Sequence, residues 1–95
     1  MGLDTVVRAG TEQVAAEVED EVVILNLRDD VYYGLSLVGR RIWELVQQPR
    51  TLRDLRDTLL AEYEVDPAEC ERDLRDLLDD LARRGLVEVA RPPAA

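Results

Sequence analysis

The chemistry open to this chain is set by a short list of side chains. Its 95 residues include no His, a single Cys (Cys70), three Tyr, and 12 basic residues that are all Arg, against 21 Asp and Glu. A Ser-His-Asp triad, a Cys-His dyad and a His-ligated metal are therefore excluded. One Cys permits neither an internal disulfide nor a CxxC site. Cys70 has no His or Lys near it in sequence to lower its thiol pKa, which argues against a nucleophile. What remains is carboxylates, guanidiniums, a few aromatics and the backbone, groups suited to recognition rather than bond breaking. No catalytic residue, metal ligand or cofactor is expected.

The formal net charge is −9, unevenly spread. Residues 1–30 hold Arg8 and Arg28 against eight acids, whereas residues 31–50 hold Arg40, Arg41 and Arg50 against Glu44 alone. No segment offers the dense basic stripe that counterion release on nucleic acid requires. Such a surface repels polyphosphate and anionic lipid and favours a basic or neutral partner. No apolar run approaches the ~18–20 residues that cross a bilayer, and no signal segment opens the chain, so no membrane contact and a cytoplasmic location are expected. The composition, 46% hydrophobic and 35% charged, fits one small folded domain.

The elements that position these groups follow from periodicity. Residues 1–10 show no sustained period and are expected to be a flexible lead-in. From Glu12, Val14, Ala16 and Val18 alternate with Glu17 and Glu19, which is strand spacing. After the break Glu19-Asp20-Glu21, residues 22–27 (VVILNL) read as an apolar strand. Asp29-Asp30 makes a turn, and Val31-Tyr32-Tyr33-Gly34-Leu35 forms a third strand. A meander results. With Asp29-Asp30 as the loop, Leu27 faces Tyr32, Asn26 faces Tyr33, Leu25 faces Gly34 and Ile24 faces Leu35. One side then carries Ile24, Tyr33 and Leu35, the other Val23, Leu25, Leu27 and Tyr32, so the sheet needs cover on both faces or a partner on one.

Beyond Ser36 the period becomes helical. Ser36 is a candidate cap for a helix bearing Val38, Ile42, Leu45 and Val46, with Trp43 as a core anchor, ended by Gln47-Gln48-Pro49. Thr51 with Asp54 three residues on starts a second helix through Leu52, Leu55, Leu59 and Tyr63. Asp66-Pro67-Ala68-Glu69 starts a third, with Cys70, Leu74, Leu77, Leu78 and Leu81 at helical spacing and Gly85 as its left-handed cap. Residues 86–89 (LVEV) can add a closing strand. The expected class is α+β: a winged helix-turn-helix built of a three-stranded antiparallel meander followed by three helices, with one domain over residues 11–90 and a tail over 91–95.

That fold suggests a DNA-binding regulator, but the reading helix, residues 68–84, carries six acids against four Arg. Arg72 and Arg75 are expected to pair with Asp76 and Asp79 at helical spacing, leaving little to reach bases or phosphates. Fold does not decide function.

The stretch from Val22 to Val89 resembles the PqqD-like recognition domains of ribosomal peptide biosynthesis, most of all the free-standing members encoded with lasso peptides. The likeness rests on Tyr33-Gly34-Leu35-Ser36, then Gly39 and Ile42-Trp43-Glu44-Leu45, then Thr51-Leu52 with Leu55, and Arg84-Gly85-Leu86-Val87 after the long last helix. Ser36 stands where Asn is commoner, and Ser serves the same cap. The resemblance implies a non-catalytic binder of the leader segment of a precursor peptide, captured as an added antiparallel strand on the third strand and presented to a leader peptidase and a macrocyclase. A PqqD-type chaperone of a cofactor precursor peptide is the nearby alternative. The residue pattern agrees as far as it goes, because the third strand of a meander has a neighbour on one side only.

On that reading Val31, Tyr32, Tyr33, Gly34 and Leu35 are the backbone platform, with Gly34 allowing close approach of another chain. Tyr33 and Leu35 read also as ordinary core, whereas Tyr32 falls on the opposite face. Cys70, Leu74 and Leu77 floor a pocket for a leader Leu or Tyr, and equally form the core stripe of an amphipathic helix. Asp73, Asp76 and Asp80 flank that stripe, as attractors of basic leader residues or as a solvated face.

Overall fold

The computed structural model describes residues 2–90. Nine elements follow in order: β1 (Val6–Ala9), β2 (Gln13–Val18), β3 (Glu21–Asn26), β4 (Val31–Ser36), α1 (Leu37–Leu45), β5 (Arg50–Thr51), α2 (Leu52–Glu62), α3 (Pro67–Arg83) and β6 (Val87–Ala90). The α+β class and the antiparallel meander β2-β3-β4 are as expected, and a second three-stranded sheet has the order β5-β1-β6. The elements after the meander run α1-β5-α2-α3-β6, and among the described residues the small sheet beside them takes its central strand from the N-terminal β1.

The lead-in is therefore a correction. Residues 1–10 lack a period because β1 is short and only Val7 is driven inward, where it is fully buried. Its partners are distant in sequence: Val6–Ala9 pairs with Val87–Ala90 and with Arg50–Thr51. The segment also serves α2, whose first N–H groups have no partner inside the helix. Leu52 N–H donates to the Thr5 carbonyl and Arg53 N–H to that of Leu3, at 2.9 and 3.0 Å. The domain thus begins well before residue 11. The tail at 91–95 lies outside the described residues.

The register of the meander is the second correction. Asn26 pairs with Val31, Leu25 with Tyr32, Ile24 with Tyr33, Val23 with Gly34 and Val22 with Leu35, a slide of two from the expected partners. The connection takes four residues, Leu27 to Asp30, rather than two. Asp30 is left-handed (φ 57°), Asp29 Oδ1 accepts from Val31 N–H, and Asn26 Oδ1 accepts from Arg28 N–H. A slide of two leaves each side chain on its own face. The inner face (Val22, Ile24, Leu35 and half-buried Tyr33) joins the core with Ile42, Trp43, Leu55, Leu74 and Leu78. The outer face has no cover among the described residues, and Val14, Val18 and Tyr32 on it are each more than half exposed.

Caps behave largely as their local chemistry dictates. Thr51 accepts from Asp54 N–H, Asp66 accepts from Glu69 N–H with Pro67 opening α3, and Gly85 is left-handed (φ 75°). Ser36 occupies the cap position of α1, but its side chain makes no capping bond.

Candidate functional site

Along a strand, backbone groups point alternately to one neighbour and the other. Leu27 N–H donates to the Glu12 carbonyl, on the β2 side. Stepping back along β3, Asn26, Ile24 and Val22 then turn to β4, and the backbone groups of their partners Val31, Tyr33 and Leu35 face β3, the Val31 N–H also reaching Asp29 Oδ1 in the turn. The N–H and C=O of Tyr32 and Gly34, and the N–H of Ser36, point to the other side. There β4 has no strand neighbour among the described residues, and none of these groups bonds outside the ladder. The receptive edge is a row of donors and acceptors at alternate residues.

Helix α3 runs beside this edge, antiparallel to β4. Near the Val31 end, Asn26 is buried, and its Nδ2 donates to the Arg84 carbonyl at 2.7 Å, which pins the hairpin to the end of α3. In the middle, Tyr33 Oη donates to Asp80 Oδ2, and the Arg84 guanidinium lies 4.8 Å from the Tyr33 ring centroid while Nε reaches Asp80 at 3.3 Å. At the Leu35 end, a Cβ on Gly39 would stand at ordinary contact distance from Leu35 (3.4 Å) and Leu77 (3.8 Å), so β4, α1 and α3 come together here.

Past that point the groove opens into an apolar cleft of about 270 Å³ between α1, α2 and α3. Leu74 and Cys70 form its buried floor, half-buried Leu77 its flank, and Val38, Gly39 and Tyr63 its far wall, with Glu69 and Asp73 among its lining residues. The bidentate Arg41–Glu62 pair, 2.8 Å at each contact, ties the end of α2 to α1 and holds that wall. The cleft is close to the low end of the ~300–1,000 Å³ of small-molecule sites.

Every residue singled out from sequence can now be placed. Val31, Tyr32 and Gly34 are exposed on β4; Tyr33 and Leu35 face inward. Cys70, Leu74, Leu77 and Asp73 meet at the cleft. Asp76 is exposed on α3 outside it, and Asp80 is engaged by Tyr33 and Arg84. Burial, with the Asp73 charge second, pushes the Cys70 thiol up, the wrong direction for a nucleophile. Sequence reasoning missed Ser36 N–H, the α1 wall and Tyr63. The Tyr33–Asp80 link joins residues 47 apart, and no local pattern signals it. The ion pairs of α3 also differ from expectation: Arg72 reaches Glu69 and Asp73 at 3.8 and 3.9 Å, and Arg75 reaches back to Glu71 at 3.6 Å. In the Glu69–Arg72 and Glu71–Arg75 pairs the acid lies on the N-terminal side of its Arg, the better orientation along the helix dipole. Among the described residues no group of three or more His, Cys, Asp or Glu is placed to hold a metal, and no helix is long and apolar enough to cross a membrane.

The Tyr33–Asp80 bond makes the groove pH-sensitive in a defined direction. The Tyr33 hydroxyl is the main cause holding the Asp80 carboxyl below its usual range, and that hydrogen bond, followed by burial, raises the Tyr33 phenol. A depressed carboxyl contributes stability above its unfolded pKa and loses it as pH falls through the folded value. A raised phenol contributes below its unfolded pKa and loses it as pH rises through the folded one. Tyr33→Phe should therefore return the Asp80 titration, followed by carboxyl NMR, toward the ordinary range. Its stability deficit should be largest between those limits and shrink in acid; an unmoved Asp80 titration would show that the bond is not made.

The Coenzyme PQQ synthesis protein D (PqqD) family model matches residues 21–87. Two solved structures share the fold. TbiB1 in complex with the TbiA(beta) leader peptide is 42% identical, with a TM-score of 0.79, over 85% of this chain and 94% of the other. A lasso peptide synthetase B1 complexed with the leader peptide is 26% identical, with a TM-score of 0.77, over 86% of this chain and 96% of the other. No curated protein sequence matches. A family match across most of the chain, on the hairpin and three helices that frame the edge and the cleft, places this chain in the PqqD family.

Proposed function

We propose that the chain is a non-catalytic binder of the leader segment of a ribosomally made precursor peptide of the lasso type. The leader joins β4 as an antiparallel strand and is presented in the cytoplasm to a leader peptidase and a macrocyclase. The observation that carries this is the run of unspent backbone groups at Tyr32, Gly34 and Ser36, in line with an apolar cleft floored by Cys70 and Leu74. Main-chain bonds to the edge supply affinity that any extended peptide could use; the cleft and the acids Asp73 and Asp76 select the sequence. That both similar structures are complexes with leader peptides supports the same reading.

The family description favours one second reading, capture of a cofactor precursor peptide instead. Titrating the full chain with a synthetic lasso-type leader and, in parallel, with a peptide precursor of a redox cofactor separates the two. Saturable binding of the first at micromolar or lower concentration is expected. Binding of the second alone would move the substrate class, and no binding of either at high micromolar concentration would remove the proposal.

A further inference from the structure

Two unfavourable features coincide at Leu37. Its φ is +54°, a left-handed conformation that a γ-branched residue adopts only under constraint, and its side chain is 81% exposed, the most exposed large apolar group among the described residues. Had β4 continued, period two would have put Leu37 on the side of buried Leu35. The left-handed step instead starts α1 and leaves the side chain in water. The position is the joint of the site: Ser36, with the last receptive N–H, precedes it, and Val38 and Gly39, which line the cleft, follow it. An added antiparallel strand on β4 runs with its N-terminal part toward this end, so a peptide that also fills the cleft passes Leu37.

Resting on the leader-binding reading above, we infer that Leu37 is a specificity-determining contact, an apolar knob held out by a strained backbone. It packs on an apolar leader side chain immediately N-terminal to the segment paired with β4. Backbone strain and solvent exposure are both costs in the free chain. Peptide binding removes the second, because the side chain is re-covered.

The sign of two effects tests this. Leu37→Gly relieves the left-handed strain and removes the knob, so its melting temperature should equal or exceed that of the parent. Its affinity for a synthetic leader should nevertheless fall about tenfold, the size expected for leaving one leucine uncovered. Leu37→Met should retain the affinity. In a leader whose apolar residues N-terminal to the paired segment are replaced by Ser, the Leu37→Gly effect should vanish, which locates the contact. If the parent binds the leader and Leu37→Gly binds it equally well, this inference alone fails. A parallel loss of melting temperature and affinity also overturns it, because the role would then be structural. No binding by the parent removes the leader-binding reading and this contact together.

Discussion

Gly34→Pro is expected to weaken leader binding by roughly fivefold to 150-fold relative to Gly34→Ala, about 1–3 kcal/mol, while leaving the fold intact. The proline deletes one N–H on the open side of β4, and the leader carbonyl that would have met it is buried without a donor. The β3 ladder keeps its bonds, since Val31, Tyr33 and Leu35 are the residues that face β3. Tyr33 is already extended, as a residue before proline must be. The new side chain meets little: a Cβ at Gly34 approaches only Glu21 Oε1, at 3.2 Å, the far end of a flexible side chain. Gly34→Ala shares that contact and keeps the N–H, so the comparison isolates the hydrogen bond. Titration by calorimetry or fluorescence anisotropy, with melting curves for both variants, decides the matter. Equal affinities would mean that the guest does not pair along β4.

Local chemistry and long-range pairing were not equally legible in the sequence. Thr51, Asp66 and Gly85 announce their helix ends because each cap is completed within a few residues. Faces were legible for a similar reason: period two fixes which side of β3 and β4 meets the core, even though the pairing slid by two. The slide itself was decided by turn geometry, since Asn26 and Asp29 both spend side-chain oxygens on the loop and make it longer than an Asp-Asp pair suggests. Strand β1 was invisible because its reason to exist is supplied by β5 and β6, at least 40 residues away in sequence. Of the candidate site, β4 as a strand with an exposed side and Cys70, Leu74 and Leu77 as one apolar stripe were readable from periodicity. Which backbone groups stay unspent was not, because that depends on where Leu27 donates. Nor was the fate of Asp80, which pattern alone makes a free acid and contact with Tyr33 makes an internal partner.

Whether the α3 stripe is core or pocket is answered by comparing two of its leucines. Leu74 and Leu78 lie one turn apart and are almost fully buried, but only Leu74 lines the cleft. Truncating either to Ala removes the same methyl groups and leaves a cavity, at a cost of about 2–5 kcal/mol. Against a total stability of about 5–15 kcal/mol for a small domain, both variants should melt well below the parent yet remain folded at low temperature. Their leader affinities, measured under those conditions on the folded fraction, should part company. Leu78→Ala is expected to bind as the parent does, because its cavity is sealed inside the core. Leu74→Ala deepens the floor of the cleft and takes away contacts a leader side chain would make, so its Kd should rise about tenfold, the value of a partly uncovered apolar group. The two roles are compatible on one residue because the stripe is wider than the core it serves. At Leu78 the stripe faces the other buried side chains, whereas at Leu74 it faces the cleft. An equal loss of affinity in both variants would trace the effect to stability alone and strip Leu74 of any share in recognition.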